Sequence, residues 1–471
     1  MKKTKIICSI GPASTDPAVM SKMVEAGMNV ARINMSHATP EEKVAVVASV
    51  KEVRKMTGKN VAILFDTKGP EFRNGMLEND QITLTEGETI RIVKESVLGN
   101  QERFSVNYPQ AIDNLEIGSI VLLENGLMKI EVISKEEDGV TCKIINGGVL
   151  GNKKSLNVPG ANLNIPFISD VDREDIIYAC EHEGDYLAAS FVSSKEDVLE
   201  VREILKQCNR EDMKIISKIE SARAIENLDE IIDVTDGIMV ARGDLGVEVP
   251  MQQLPKFQKL IIEKCREKGK SVVVATEMLE SMKKSARPTR AEVSDVANAI
   301  YDGTSAIMLS GETAAGEHPV ESVRTMAKIA RMTEKNIHYK KRFQAHKKIK
   351  NTSITDAVSH AACTMAMDLE AAAIVAVTTT GHTARMLSKF RPSCPIIAVV
   401  VDEKAYHQTA MTWGTIPVKN DMQETMDDMF ESAVRKAITT RILKKDDMIV
   451  LTGGLPVGIS GTTNVVKVQI L

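Results

Sequence analysis

Aromatic residues are scarce: Phe, Tyr and Trp make up 3% of the 471 residues, with a single Trp. No sign of charge prevails either. The 60 Lys and Arg stand against 64 Asp and Glu, a net charge of −4, which argues against a dedicated nucleic-acid or membrane-surface binder and requires any anionic ligand to be met locally. The 7 cysteines are odd in number and contain no CxxC pair, which excludes a disulfide framework and a zinc site and fits a reducing cytoplasm. No apolar run approaches the roughly 20 residues of a membrane span, and the first residues lack the apolar segment of a signal peptide, so a soluble, cytoplasmic protein is expected. What remains is ordinary globular composition, 43% hydrophobic and 26% charged, in a chain of 51.6 kDa that is long enough for about three domains. The 24 Met are read as core filler.

Short β-branched runs alternate with amphipathic stretches. Strands are expected at 5–10, 30–34, 61–66, 186–190, 214–218, 237–241, 271–276 and 305–309, with helices at 17–26, 41–57, 195–206, 251–268, 291–302 and 320–339. Eight β-then-α units predict an α/β fold with a (β/α)8 barrel, whose chemistry sits at the C-terminal ends of its strands. Residues 70–165 break the rhythm with strand-like pieces and read as an inserted β domain, with Gly and Pro at both junctions as a hinge. The barrel thus comprises 1–69 and 166–345, the basic run 340–350 reads as a linker, and 346–471 forms an open α/β domain.

Alternation along strands turns spacing into direction. At the strand ends stand Arg32, Asn34 and Ser36; Asp66 and Thr67, trailed by Glu71 and Arg73; Lys218 with Glu220 on one side; Arg242 with Asp244 on one side; Thr276; and Glu312. A rim of cations, carboxylates and hydroxyls suits an anionic substrate with a metal ion. Glu220 and Asp244 suit Mg²⁺, which takes one or two carboxylates plus waters and phosphate oxygens, while Lys218 supplies a compact charge for a transferring phosphoryl group. Taken singly, each is an ordinary loop charge, and Lys218 with Glu220 reads equally as a buried salt bridge. Gly243 lets backbone approach a ligand and offers N–H donors to a carboxylate.

These residues lie in the runs Cys8-Ser9-Ile10-Gly11-Pro12, Ala31-Arg32-Ile33-Asn34-Met35-Ser36-His37, Asp66-Thr67-Lys68-Gly69-Pro70-Glu71, Ser217-Lys218-Ile219-Glu220, Ala241-Arg242-Gly243-Asp244-Leu245-Gly246, Arg287-Pro288-Thr289-Arg290 and Ser310-Gly311-Glu312-Thr313. Along its whole length the sequence resembles the pyruvate kinase family, of bacterial type and without the extra C-terminal module of some members. The resemblance implies phosphoryl transfer from phosphoenolpyruvate to ADP, giving pyruvate and ATP in glycolysis, with an inserted lid, a C-terminal effector domain and a homotetramer. It implies Glu220 and Asp244 as ligands of Mg²⁺ (or Mn²⁺), and Arg32, Lys218, Gly243, Asp244 and Thr276 as substrate contacts, with Lys218, Thr276 and Arg32 catalytic. It further implies Asn34, Ser36, Asp66 and Thr67 as ligands of K⁺, and Pro12, His37 and Lys154, together with Asn34 and Arg73, as nucleotide contacts. Members that do without K⁺ typically carry a lysine where this chain has Glu71, whose charge a monovalent cation would offset. Met35, Ser155 and Glu277 depart from the family pattern, and Glu277 is expected to pair with a nearby Arg, because uncompensated buried charge is costly.

Two other readings compete. Barrel enzymes of oxoacids also perform carbon–carbon bond chemistry, but the insertion with Lys153-Lys154 suits a nucleotide. The basic run 340–350 reads as a solvated linker in preference to an RNA contact, since Phe343 is its one interleaved aromatic. Finally, Thr378-Thr379-Thr380-Gly381-His382-Thr383 is a hydroxyl-rich turn entering a helix, suited to a phosphate and matching the family's effector loop. The facing loop 453–464 holds no Lys or Arg, so an effector with one phosphate, a sugar monophosphate or AMP, is expected over fructose 1,6-bisphosphate.

Overall fold

A computed structural model describes residues 1–36, 38–345, 353–459 and 461–471. Eight parallel strands, Lys5–Ser9, Val30–Asn34, Ala62–Asp66, Tyr186–Ala189, Lys214–Ile219, Gly237–Ala241, Ser271–Ala275 and Ala306–Leu309, pair in chain order, and the last closes on the first. Both faces of each strand are covered, so the strands are nearly continuous apolar runs; Ser271–Ala275 reads Ser-Val-Val-Val-Ala. Alternation divides them: Ile7, Leu64, Ile216, Met239 and Val273 fill the barrel, while Ile6, Cys8, Ile63, Ile215 and Val272 pack against the helices.

Local sequence sets the helix starts. Thr39 with Glu42, Ser169 with Asp172, Ser194 with Asp197 and Thr289 with Glu292 form reciprocal caps at Pro40–Thr57, Asp170–Glu181, Lys195–Gln207 and Arg290–Asp302. The helix expected at 251–268 is divided into a short turn, Met251–Gln253, and the helix Leu254–Glu267, which has Pro in its first turn. The supposed linker after 339 begins as a helix, Tyr339–Ala345, because Phe343 is buried against His360 and Phe390. His346, Lys347, Lys348 and Lys350 of the basic run lie outside the described residues.

Between the third and fourth barrel strands, a six-stranded sheet and a two-stranded ribbon, Gly148–Gly151 with Gln81–Leu84, enclose a separate core that includes Ile92, Phe104, Val121 and Ile130. The chain leaves the barrel through Gly69 at φ 74°, where a Cβ would meet the Ser190 Cβ at 2.8 Å. The C-terminal sheet runs Thr415–Lys419, Ile396–Val400, Ala373–Thr378, Met448–Gly454, Thr463–Ile470, with the last strand antiparallel. Its connection supplies Ala410 and Met411 to the core inside the barrel, beside Tyr186 and Ile7. That plug closes the N-terminal end of the barrel and leaves the opposite mouth toward the insertion.

Candidate active site

At the mouth, alternation brings ions from three strands together. Arg32 donates from Nε to Asp66 Oδ2 at 2.6 Å and from Nη1 to Ser9 Oγ at 2.7 Å. Lys218 Nζ lies 3.2 Å from Asp66 Oδ1 and 3.1 Å from Glu220 Oε1, and donates to Ser190 Oγ at 2.7 Å. Asp66 is fully buried and takes one cation on each oxygen. Burial opposes its charge, but Arg32 and Lys218 outweigh burial and hold the carboxyl below its usual range. Burial likewise disfavours the Lys218 ammonium, and Asp66 and Glu220 reverse that, fixing it as a cation. The salt-bridge reading of Lys218 is thus met in the structure, with Asp66 as a second partner.

Glu220 also accepts from Phe191 N at 2.6 Å. Burial pushes its carboxyl up to about 7 against the pull of Lys218, and the Asp244 charge adds to the rise. A buried carboxylate beside a second negative charge is undercompensated, so these two residues fit a divalent cation completed by water and substrate oxygens. No group of three or more His, Cys, Asp or Glu placed to hold a metal occurs among the described residues.

The strand-end reading fails after the sixth strand. Arg242–Glu248 is a helix, so Arg242 and Asp244 do not share a side. Arg242 turns away to Asp295 at 2.7 Å and donates to the Thr276 carbonyl at 2.7 Å. Gly243 N donates to Thr276 Oγ1 at 3.0 Å. Thr276 (φ 67°) and Glu277 (φ 54°) are consecutive left-handed residues, an unfavourable conformation for a β-branched side chain that the Arg242 clamp helps to hold. Glu277 is exposed, and Arg242 bonds its carbonyl; its carboxylate has no ion pair among the described residues, so the expected Arg pairing is not formed. With the group in water, the burial cost behind that expectation does not arise. Glu312 is also diverted from the rim: it is buried and accepts from Leu279 N and Ser310 N. Ser190 and Arg242 carry positioning roles that the sequence reading passed over, although Ser190 continues the inward side of Tyr186 and Ala188.

Asn34 is in register with Asp66, and Thr67 Oγ1 accepts from Ser190 N at 3.3 Å, so three of the four residues assigned to K⁺ are neighbours; Ser36 is exposed. Glu71 is already offset by Arg73 at 2.6 Å. Lys154 is held by Glu124 at 2.6 Å. Arg73, Lys154, Asp244 and Glu248 line a cavity of about 1200 Å³ between the insertion and the barrel mouth, whereas Arg32, Lys218 and Thr276 are not in its wall. Pro12 is exposed beside Gly11, and His37 lies outside the described residues. In the C-terminal domain, Thr378, Thr379, Thr380, His382 and Thr383 line a cavity of about 40 Å³. Gly381, at φ 77°, sets the turn into helix His382–Lys389, and Thr383 bonds Thr463 of the facing loop at 2.7 Å. Ser460 of that loop is outside the described residues.

Fold and site together define a (β/α)8-barrel protein with cations and carboxylates clustered at its strand ends. Residues 1–323 match the family described as pyruvate kinase, barrel domain, and 356–469 match pyruvate kinase, alpha/beta domain. The chain is 46% identical over 472 residues to a pyruvate kinase of Geobacillus stearothermophilus, covering all of this chain and 80% of the relative. It is 43% identical to one of Clostridium acetobutylicum, covering 100% of both. The crystal structure of a pyruvate kinase from Cryptosporidium parvum matches with a TM-score of 0.95 at 36% identity, covering 100% of this chain and 96% of that one. The chain belongs to the pyruvate kinase family and is a phosphotransferase.

Proposed function

We propose that this protein transfers the phosphoryl group of phosphoenolpyruvate to ADP in glycolysis, in the cytoplasm. The observation that carries the reading is the Lys218 ammonium, fixed between Asp66 and Glu220 beside Arg32. Lys218 and Arg32 face the phosphoryl group. The Gly243 and Asp244 amides and the Thr276 hydroxyl receive the substrate carboxylate once Thr276 exchanges its bond to Gly243. An ADP oxygen attacks phosphorus as the bond to the enol oxygen breaks, and the enolate takes a proton at carbon on the Thr276 side to become pyruvate. A loose transition state of this kind needs position and charge more than covalent help.

Glu220 and Asp244 would hold Mg²⁺ or Mn²⁺, which when bound draws charge from the transferring phosphoryl oxygens. Residues 70–165 serve as a lid that excludes water, and Pro12, Asn34, His37, Arg73 and Lys154 contact ADP and ATP; Arg73 and Lys154 exchange their carboxylates for the nucleotide phosphates as it arrives. Asn34, Ser36, Asp66 and Thr67 would hold K⁺. Residues 346–471 carry an activator site at Thr378 to Thr383 for a ligand with one phosphate, a preference supported by the absence of Lys and Arg from that cavity's described lining. A homotetramer is the expected assembly.

Pyruvate formation from phosphoenolpyruvate and ADP tests the reaction: activity dependent on Mg²⁺ is expected, and failure to bind ADP would return the assignment to carbon–carbon chemistry. For the monovalent site, activity should fall in buffer whose sole monovalent cation is an organic ammonium and recover with K⁺. Glu71→Lys should weaken that dependence. Titrating activity at subsaturating phosphoenolpyruvate with a sugar monophosphate, AMP and the bisphosphate assigns the effector.

A further inference from the structure

At the opposite end of the barrel, where the strands begin, charges gather with a single sign. A cavity of about 10 Å³ lies between the barrel and helix His382–Lys389, and Arg266, Lys270, Arg385, Lys389 and Arg391 line it with hydroxyl groups and no Asp or Glu. It adjoins a second cavity of about 30 Å³ that shares Ser271, Arg385 and Thr412 with it and contains one carboxylate, Asp236. Asp236 is already paired with Arg202 at 2.9 Å. At roughly 10–15 Å³ for each water-sized group, the first has room for one and the second for two or three, so a tetrahedral oxyanion would have to span both, and a nucleotide exceeds them.

Arg391 is the central group. It is 3% exposed, donates from Nη1 to Ser388 O and Oγ and from Nη2 to Gly303 O and Ser305 Oγ, and stacks on Trp413 at 4.7 Å. All of these partners are neutral. Its Nε is buried with no hydrogen-bond partner. More positive charge surrounds it, since a Cβ on Gly303 would meet the Arg342 guanidinium and, at 3.0 Å, that of Arg266. Burial and these two neighbours press the Arg391 guanidinium well below its ordinary range. Lys389 has its own carboxylate, Asp356 at 2.9 Å, but Arg385 donates to the His382 ring at 3.0 Å, and neither Arg385 nor Arg391 has an ion pair among the described residues. The undescribed residues, His37, 346–352 and Ser460, contain no Asp or Glu, so no missing carboxylate supplies the balance. An isolated buried charge is expensive unless something of opposite sign meets it.

We propose that this seam between the barrel and the C-terminal domain is a binding site for inorganic phosphate, held by Arg391 and Arg385 with Ser388 and Ser305 beside them. The site is separate from the mouth, where phosphate would meet Arg32 and Lys218. The chain's one Trp is stacked on Arg391, so its emission reports this site directly.

The experiment titrates the intact protein with inorganic phosphate at constant ionic strength while following Trp413 fluorescence. A saturable change in the millimolar range is expected, retained in Lys218→Met. Arg385→Gln should weaken the midpoint about tenfold, the loss of one charge-assisted hydrogen bond; the Arg385 side chain makes one polar contact among the described residues, to His382. Arg391→Met should abolish the change, and Arg385→Gln carries the test if Arg391→Met does not fold. A flat response in the unaltered protein, or an unchanged midpoint in Arg385→Gln, overturns the site. Displacement by a phosphate monoester as potent as phosphate itself would overturn the free ion in favour of a ligand's phosphoryl group.

Discussion

The two ends of one barrel handle buried charge in opposite ways. At the mouth each cation has an anion within about hydrogen-bond reach: Arg32 and Lys218 share Asp66, and Lys218 also meets Glu220. At the seam Arg385 and Arg391 meet carbonyls, hydroxyls and rings. A cluster that pairs its cations holds Asp66 and Lys218 in their charged forms in one geometry and is ready to stabilise charge that appears in a transition state. A cluster of one sign has its balance to gain from outside. The ionic state of a buried residue follows from its neighbours, and so does what the residue is for.

Breaking the balanced end should have the largest effect. Lys218→Met is expected to lower kcat by about 10²–10³-fold or more with little change in phosphoenolpyruvate affinity, since a contact strengthened only in the transition state acts on kcat. Near-normal turnover would remove Lys218 from the chemistry. Asp66→Asn strips both cations of their shared partner. A stability loss of about 3–5 kcal/mol in urea unfolding is expected for leaving buried charge unpaired, and a loss below 1 kcal/mol would show that solvent reaches the cluster.

The seam end should show itself in acid. Burial and then Arg385 lower the His382 imidazole from 6.5 to about 4, with Lys214 adding to the fall and Asp356 opposing it. Between these values the unfolded chain binds a proton that the folded chain refuses, so this contribution to stability is complete above pH 6.5 and is lost as pH falls toward 4. His407, lowered likewise by burial and Arg54, adds to the same window. His382→Asn should flatten the Tm profile between pH 4 and 6.5, and an unchanged slope would contradict the assignment. The smallest effect is expected at Glu277, exposed and without an ion pair. Glu277→Gln should leave kcat/KM within about twofold, as surface substitutions usually do.

The barrel was legible because strands covered on both faces are apolar throughout, and the site was legible where side chains project directly from those strands, as with Arg32, Asp66 and Lys218. Strand logic misled where the chain stops being a strand. Arg-Gly-Asp-Leu-Gly has two glycines and no side-chain cap, yet tertiary packing makes it helical and sends Arg242 away from Asp244. Strand Thr415–Lys419 carries a weak signal because Pro417 interrupts its pattern, which is tolerable at the edge of the sheet. Helix Asp170–Glu181 did carry a signal, the Ser169 and Asp172 cap. The pairs Arg73 with Glu71 and Lys154 with Glu124 had none, because the insertion's fold decides which loop charges meet.

The Asp172 carboxylate that caps a helix through Ser169 also accepts the amide of Gly69 at 2.9 Å, where the chain departs for the insertion. One side chain of the barrel thus pins the outgoing strand of polypeptide to the incoming one. Closing a long loop costs only slightly more entropy than closing a short one, and here the ends are held together from the barrel side whatever lies between them. The inserted sheet has its own core, so it behaves as a cassette: the barrel can assemble around Asp172 first, and the segment between the two junctions can be lengthened, shortened or exchanged over generations without renegotiating the eight strands beneath it.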